Sequence, residues 1–260
     1  MPAGNLLSAV VKVLWPQGLN TSYYLDLNSF SRRTAWAHGF MHDYALWLGL
    51  VLLTMVFLAA YLFVWRRRDT RGAVLMFLGG VGALVGLGLN QIVGHAAEEL
   101  RPYDTFPHAL VLVGKANDYA FPSDHAVVAG ALFMSILLVV RRAKPEVRRP
   151  GVATGRLVAS LEPRRGPTGA MVVLVVMSAV LALFLAFARI YVGAHYPGDV
   201  VAGLLLGVVV VAVVSAARPL GYRVADGIEH TPLAVLVRRP PSSGRGATGG
   251  DQDVDRSAAR

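Results

Sequence analysis

The chain contains no cysteine. Disulfides and thiolate metal sites are therefore excluded, and thiols give no argument about compartment. Charge is scarce too: 16% of the 260 residues are charged, whereas 55% are hydrophobic. That is more apolar than a soluble domain of this size needs. Acidic residues are the scarcer sign, 16 against 25 basic, for a formal net charge of +9. In a soluble protein this balance would suggest nucleic acid. Here the basic residues crowd into loops between apolar runs, so the charge reads as membrane topology and no nucleic-acid partner is expected. The N-terminus also lacks a basic head followed by an apolar core and a small-residue cleavage site, so no removable signal peptide is read.

What the sequence does have is long apolar runs. Five are long enough to cross a bilayer, which takes roughly 17 to 25 mostly apolar residues. They lie at about 44–65, 72–93, 124–140, 170–190 and 198–217. The third is short, so its ends should reach the headgroup region, with Arg141 and Arg142 snorkelling. The expected fold is all-α, an integral membrane bundle of about five transmembrane helices. Residues 1–43 hold LLSAVVKVLW (6–15) and the start of the aromatic stretch TAWAHGFMHDYALW (34–47). Both read as interfacial or half-buried helices. Residues 44–217 form the membrane-embedded domain. Residues 218–260 are rich in Arg, Gly, Pro and Ser and read as a largely disordered tail. Glycines in GGVGALVGLG and in the fifth span suit close helix packing in lipid.

Loop charge sets the orientation. WRRRDTR (65–71) and the loop after the third span are strongly basic and should be cytoplasmic. The stretch 94–124 is acidic and should lie outside, with the C-terminus inside. Lys12, Arg32 and Arg33 then fall outside, against the rule.

With this topology, unusual polar residues meet at one depth. Arg101 follows the outer end of the second span, and Ser123, Asp124 and His125 open the third. Arg189 closes the fourth, and His195 and Asp199 flank the entry to the fifth. An ionised side chain deep in a bilayer costs roughly 2.5 kcal/mol or more. Singly, each residue could be an interfacial anchor; together they suit phosphoryl transfer. Ser123 can cap the third span, whose first N–H groups then form an anion site. Arg101 and Arg189 offer planar charged forks to phosphate oxygens. His195 can attack phosphorus as a neutral imidazole. Asp199, four residues on, can take its other N–H, held by Pro197 in the first helical turn. His125 can act as general acid. No side-chain set suggests a metal cage, and no cofactor is expected.

These residues carry a resemblance. Pro122-Ser123-Asp124-His125, and Ala188-Arg189 followed by His195 and Asp199 at the right spacing, resemble the second and third motifs of the type 2 phosphatidic acid phosphatase (PAP2) superfamily. Arg101-Pro102 resembles the end of the first. The likeness covers roughly residues 30 to 217. Three positions depart: Gly94 stands where the family has lysine, with His95 beside it, Asp124 replaces a glycine and Ala188 a serine. Within the superfamily the chain is most similar to undecaprenyl-diphosphatases of the bacitracin-resistance type, which also read F-P-S-D-H, and whose upstream Asn resembles Asn90. The resemblance implies catalytic residues His195, His125 and Asp199, and phosphate-binding residues Arg101, Ser123, Asp124 and Arg189. It implies a metal-free reaction through a phosphohistidine at the outer face of the cell membrane. The expected partners are a lipid phosphate or diphosphate and the bilayer, with no obligate protein partner. Two alternatives stay open: a phosphatase of phosphatidate or phosphatidylglycerophosphate, and a catalytically silent lipid-phosphate binder or translocator, favoured by Gly94.

Overall fold

The computed structural model describes residues 17–142 and 169–228, and every regular element among them is helical. In chain order these are α1 (Gln17–Arg33), a 3-10 turn (Ala35–Ala37), α2 (His38–Asp43), a π-helical turn (Tyr44–Leu48) and α3 (Gly49–Arg66). There follow α4 (Thr70–Ala97), α5 (Pro102–Thr105), α6 (Asp124–Arg142), α7 (Gly169–Tyr191), α8 (Pro197–Val214) and α9 (Arg218–Ile228). The stretch 6–15, most of the loop after the third span and most of the tail fall outside the described residues. The candidate site belongs to the first of two compact units, Met1–Tyr222 and Arg223–Arg260.

Five helical stretches are long and apolar enough to cross a membrane: Ala35–Arg66, Thr70–Thr105, Asp124–Arg142, Gly169–Tyr191 and Pro197–Ala225. The protein is a multi-pass membrane protein with an all-helical core, and the spans coincide with the expected ones. Two boundaries differ. The first span starts at Ala35 rather than 44, because the 3-10, α and π segments run on into α3. The aromatic residues of 34–47 thus lie on helical turns continuous with the first span. The expected disordered tail begins instead with α9, over Arg218–Ile228.

The central helix is α6, which packs against α8, α4 and α7. Glycine makes its contact with α8 close. A Cβ on Gly207 would lie 2.1 Å from the Val127 carbonyl, and one on Gly203 2.6 Å from the Ser123 carbonyl. One on Gly130 would lie 2.2 Å from the Leu204 carbonyl. Only a residue without a side chain permits such backbone approach. This contact sets the start of α6, with Ser123 to His125, beside the start of α8, with Asp199. At the opposite end, Asp69 caps α4 by accepting the Gly72 N–H at 3.0 Å. Arg142 pairs with Asp69, so this arginine is tied to α4 rather than simply snorkelling.

Candidate active site

The turn after α7 makes the site. Gly193 takes φ +81°, and a Cβ there would meet the Leu110 carbonyl at 2.5 Å. A left-handed residue this close to another backbone is a position for glycine. The chain reverses, Ala194 N–H closes on the Arg189 carbonyl at 3.2 Å, and His195 comes back beside Arg189. Pro197 is then the first residue of α8, as its fixed φ favours.

His195 is 2% exposed, and two guanidinium groups converge on its Nε2. Arg189 Nη2 lies 3.2 Å away and Arg101 Nη1 3.3 Å. Both are donors, so Nε2 is the acceptor and keeps its lone pair toward the arginines. The proton sits on Nδ1, which donates to the Ala120 carbonyl at 2.8 Å. Burial in the first place, then Arg189 and Arg101, push this imidazole well below its ordinary pKa. It is neutral at physiological pH, the state a nitrogen nucleophile needs.

Two expectations are corrected here. Asp199 was expected to accept from the N–H of His195 on the ring nitrogen away from phosphorus, yet its Oδ2 is 3.4 Å from Nδ1 while the Ala120 carbonyl is at 2.8 Å. The same oxygen accepts the Tyr196 N–H at 2.8 Å. Asp199 therefore holds the turn first and the ring second, because an N3 carboxylate reaches its own N-cap amide most directly. Ser123 was expected to cap α6 through its side chain, but its Oγ is buried with no hydrogen-bond partner. The cap is made by backbone: the Ser123 carbonyl accepts from Val127 N at 3.0 Å, and its N–H donates to the Asp199 carbonyl at 3.1 Å.

The remaining expected residues lie around this pair. Arg101, 7% exposed, is fixed by Asp118 on Nε at 2.7 Å and by the Ala194 carbonyl on Nη1 at 3.0 Å. Arg189 Nη1 donates to the Ala45 carbonyl at 3.2 Å. His125 is held through Nε2 at 3.1 Å from the Leu46 carbonyl, close enough to His195 to act on it electrostatically. Both acceptors belong to the π-helical turn, a segment type that often marks functional sites. Asp124 Oδ1 accepts from Asn90 at 2.6 Å and Gln91 at 3.0 Å, and Asn90 also donates to the Pro122 carbonyl at 3.0 Å. A cavity of about 240 Å³ is lined by Arg101, Asp118, Asp124 and His195, with Asn90, Gly94 and His95 on the α4 side.

Asp118, Gln91 and the carbonyls of Ala45, Leu46, Ala120 and Ala194 escaped the sequence reading. No residue pattern flags a carbonyl, and Asp118 looked like one acidic loop residue among several.

The PAP2 superfamily model matches residues 81–221. The chain belongs to the PAP2 superfamily. Curated relatives include the "Bacitracin transport permease protein BcrC" of Bacillus licheniformis, 30% identical over 155 residues (59% of this chain, 61% of the relative). The "Undecaprenyl-diphosphatase" of Sulfolobus acidocaldarius is 26% identical over 148 residues, 57% and 55% of the two chains. The "Undecaprenyl-diphosphatase BcrC" of Bacillus subtilis is 28% identical over 166 residues, 62% and 69%. This chain thus spans between about half and two thirds of the length of these relatives. The matched region runs from within α4 to within α9, so it contains Arg101, both motif turns and all of α6, α7 and α8.

Proposed function

We propose that the protein hydrolyses the terminal phosphate of a polyprenyl diphosphate, undecaprenyl diphosphate giving undecaprenyl phosphate, at the outer face of the cell membrane. The observation that carries this reading is the convergence of Arg101 and Arg189 on the lone-pair nitrogen of His195. The names of the relatives point to the lipid. His195 Nε2 attacks the terminal phosphorus, and the P–O bond to the leaving lipid monophosphate breaks. The two guanidinium groups balance the charge of the transferring phosphoryl group, the main task in such a transfer. Ala120 keeps the proton on Nδ1, and Asp199 assists as the ring becomes cationic. His125, carrying a proton on both ring nitrogens when the lipid diphosphate is bound, gives its Nε2 proton to the departing oxygen, exchanging its bond to the Leu46 carbonyl for one to substrate and becoming a neutral imidazole. It then takes a proton from the water that cleaves the phosphohistidine, releasing inorganic phosphate and restoring both histidines. Arg101, Arg189, Ser123 and Asp124 form the phosphate-binding wall. Of these, Asp124 is an acceptor already engaged by two amides, so it orders the wall rather than neutralising charge.

One observation favours a silent lipid-phosphate binder instead. Gly94 lines the cavity where the family places a lysine, and Asp118 already pairs with Arg101. Phosphate release decides between the readings. Purified protein should release phosphate from undecaprenyl diphosphate faster than from phosphatidate or phosphatidylglycerophosphate, with chelator present. His195→Ala should release none while remaining folded. Equal release by that variant ends the nucleophile assignment. A faster rate on the phosphatidyl lipids moves the substrate to them.

A further inference from the structure

The helix before the first span is fastened to the turn that carries His195. α1 buries a polar stripe of Asn20, Tyr24, Asn28 and Ser31, spaced by four, four and three residues and so on one helical face. Asn20 Oδ1 accepts the Gly198 N–H at 2.9 Å across 178 residues of chain. Gly198 is the second residue of α8. Pro197 before it has no N–H, and the Asp199 N–H after it goes to the Tyr196 carbonyl at 3.1 Å. Asn20 therefore supplies the partner for the remaining donor in that first turn, a group that helices cannot satisfy internally. One turn along, Tyr24 meets Tyr196 edge-on, with ring centroids 5.4 Å apart. A further turn along, Asn28 exchanges two hydrogen bonds with the backbone of Leu110, at 2.7 and 3.0 Å. Leu112, two residues on, donates to the Val192 carbonyl at 3.0 Å. The His195 turn is thus held at Gly198, at Tyr196 and, through the outer loop, at Val192.

We infer that Asn20 is a positioning residue, and that α1 is a brace that keeps His195 Nε2 aimed between the two arginines. This rests on the reading of His195 as nucleophile. Asn20 touches no reacting atom. A displacement of about 1 Å at a reacting group can cost about a hundredfold, so the brace should act on kcat more than on KM.

The test uses the whole 260-residue chain in detergent. Asn20→Ala, which loses the acceptor, should lower kcat by about tenfold or more with KM within about threefold. Asn20→Asp, which restores an acceptor beside a helix N-terminus, should return kcat to within about threefold of the parent. An unchanged kcat in Asn20→Ala, or a loss that Asn20→Asp does not repair, overturns the brace. Activity surviving in His195→Ala would instead overturn the nucleophile and leave α1 out of the question. Hydrogen exchange on the unmodified protein decides the matter even if Asn20→Ala does not fold. Peptides covering 17–33 and 192–199 should open at one common rate. Protection of 192–199 while 17–33 exchanges freely overturns the brace.

Discussion

Replacing Arg189 by methionine keeps much of the side-chain volume and removes the charge. Its Nη2 lies 3.2 Å from His195 Nε2, so a phosphoryl group on that nitrogen would put its oxygens about 4 Å from the guanidinium centre. At an effective dielectric of about 20, unit charges at that separation attract by about 4 kcal/mol. Removals of single transition-state donors in other enzymes cost about 2.7–4 kcal/mol. The expected loss in kcat/KM for undecaprenyl diphosphate is therefore about 10²–10³-fold. Arg189→Lys should fall between, because it keeps a charge but loses the planar fork and its reach to the Ala45 carbonyl. A second readout follows from the His195 imidazole, which burial and then Arg189 and Arg101 hold well below its ordinary pKa. Removing a neighbouring cation stabilises the protonated ring, so its pKa rises. The acid limb of the pH–rate profile should then move to higher pH in Arg189→Met. In the unmodified protein that limb should lie below the ordinary imidazole value of about 6.5. A methionine variant with kcat/KM within about threefold of the parent, or with an acid limb moved down, would refute the assignment of Arg189 to the transferring phosphoryl group.

Other consequences can be checked separately. Gly207→Val places a side chain where even a Cβ would sit 2.1 Å from the Val127 carbonyl, and should lower stability by about 1–3 kcal/mol, seen as a lower Tm in detergent. Gly88→Ala, where a Cβ meets nothing within 4 Å, should be neutral or stabilising by up to about 1 kcal/mol in the same assay; equal destabilisation by both would sink the packing argument. Because the chain lacks cysteine, single cysteines report topology cleanly. Lys115→Cys should react with a membrane-impermeant maleimide in intact cells and Arg68→Cys only after permeabilisation, and the reverse pattern would put the site on the cytoplasmic side. Leu46→Ala keeps the carbonyl that holds His125 and should change activity by less than about threefold, whereas His125→Ala should lower kcat by about 10²–10⁴; comparable losses in both would argue against His125 as the proton donor.

Reading spans from hydropathy worked because lipid leaves little choice: a crossing segment must satisfy its own backbone, and a helix of about 20 apolar residues is how it does so. Hence α4, α6, α7 and α8 fall where composition puts them, within a few residues. The first span was cut short because Trp36, His38, His42 and Asp43 dilute its hydropathy. A threshold on composition cannot see that 3-10, α and π turns continue one into the next. The glycines of α4 and α8 could be read as packing residues, but which backbone each one touches could not.

Sequence alone determined the membrane class, five runs long enough to cross and the family, and it nominated the cationic and imidazole groups, since these rest on composition and on motif spacing along the chain. Tertiary structure decided everything that depends on partners distant along the chain. The Ala120 carbonyl, nearer than Asp199, accepts the hydrogen bond from His195 Nδ1. The π-helical turn of the first span holds Arg189 and His125, and Asn20 closes the first turn of α8. Those partners are mostly backbone carbonyls and amides, which every residue carries, so no residue letter can announce them; only folding selects which ones face the site.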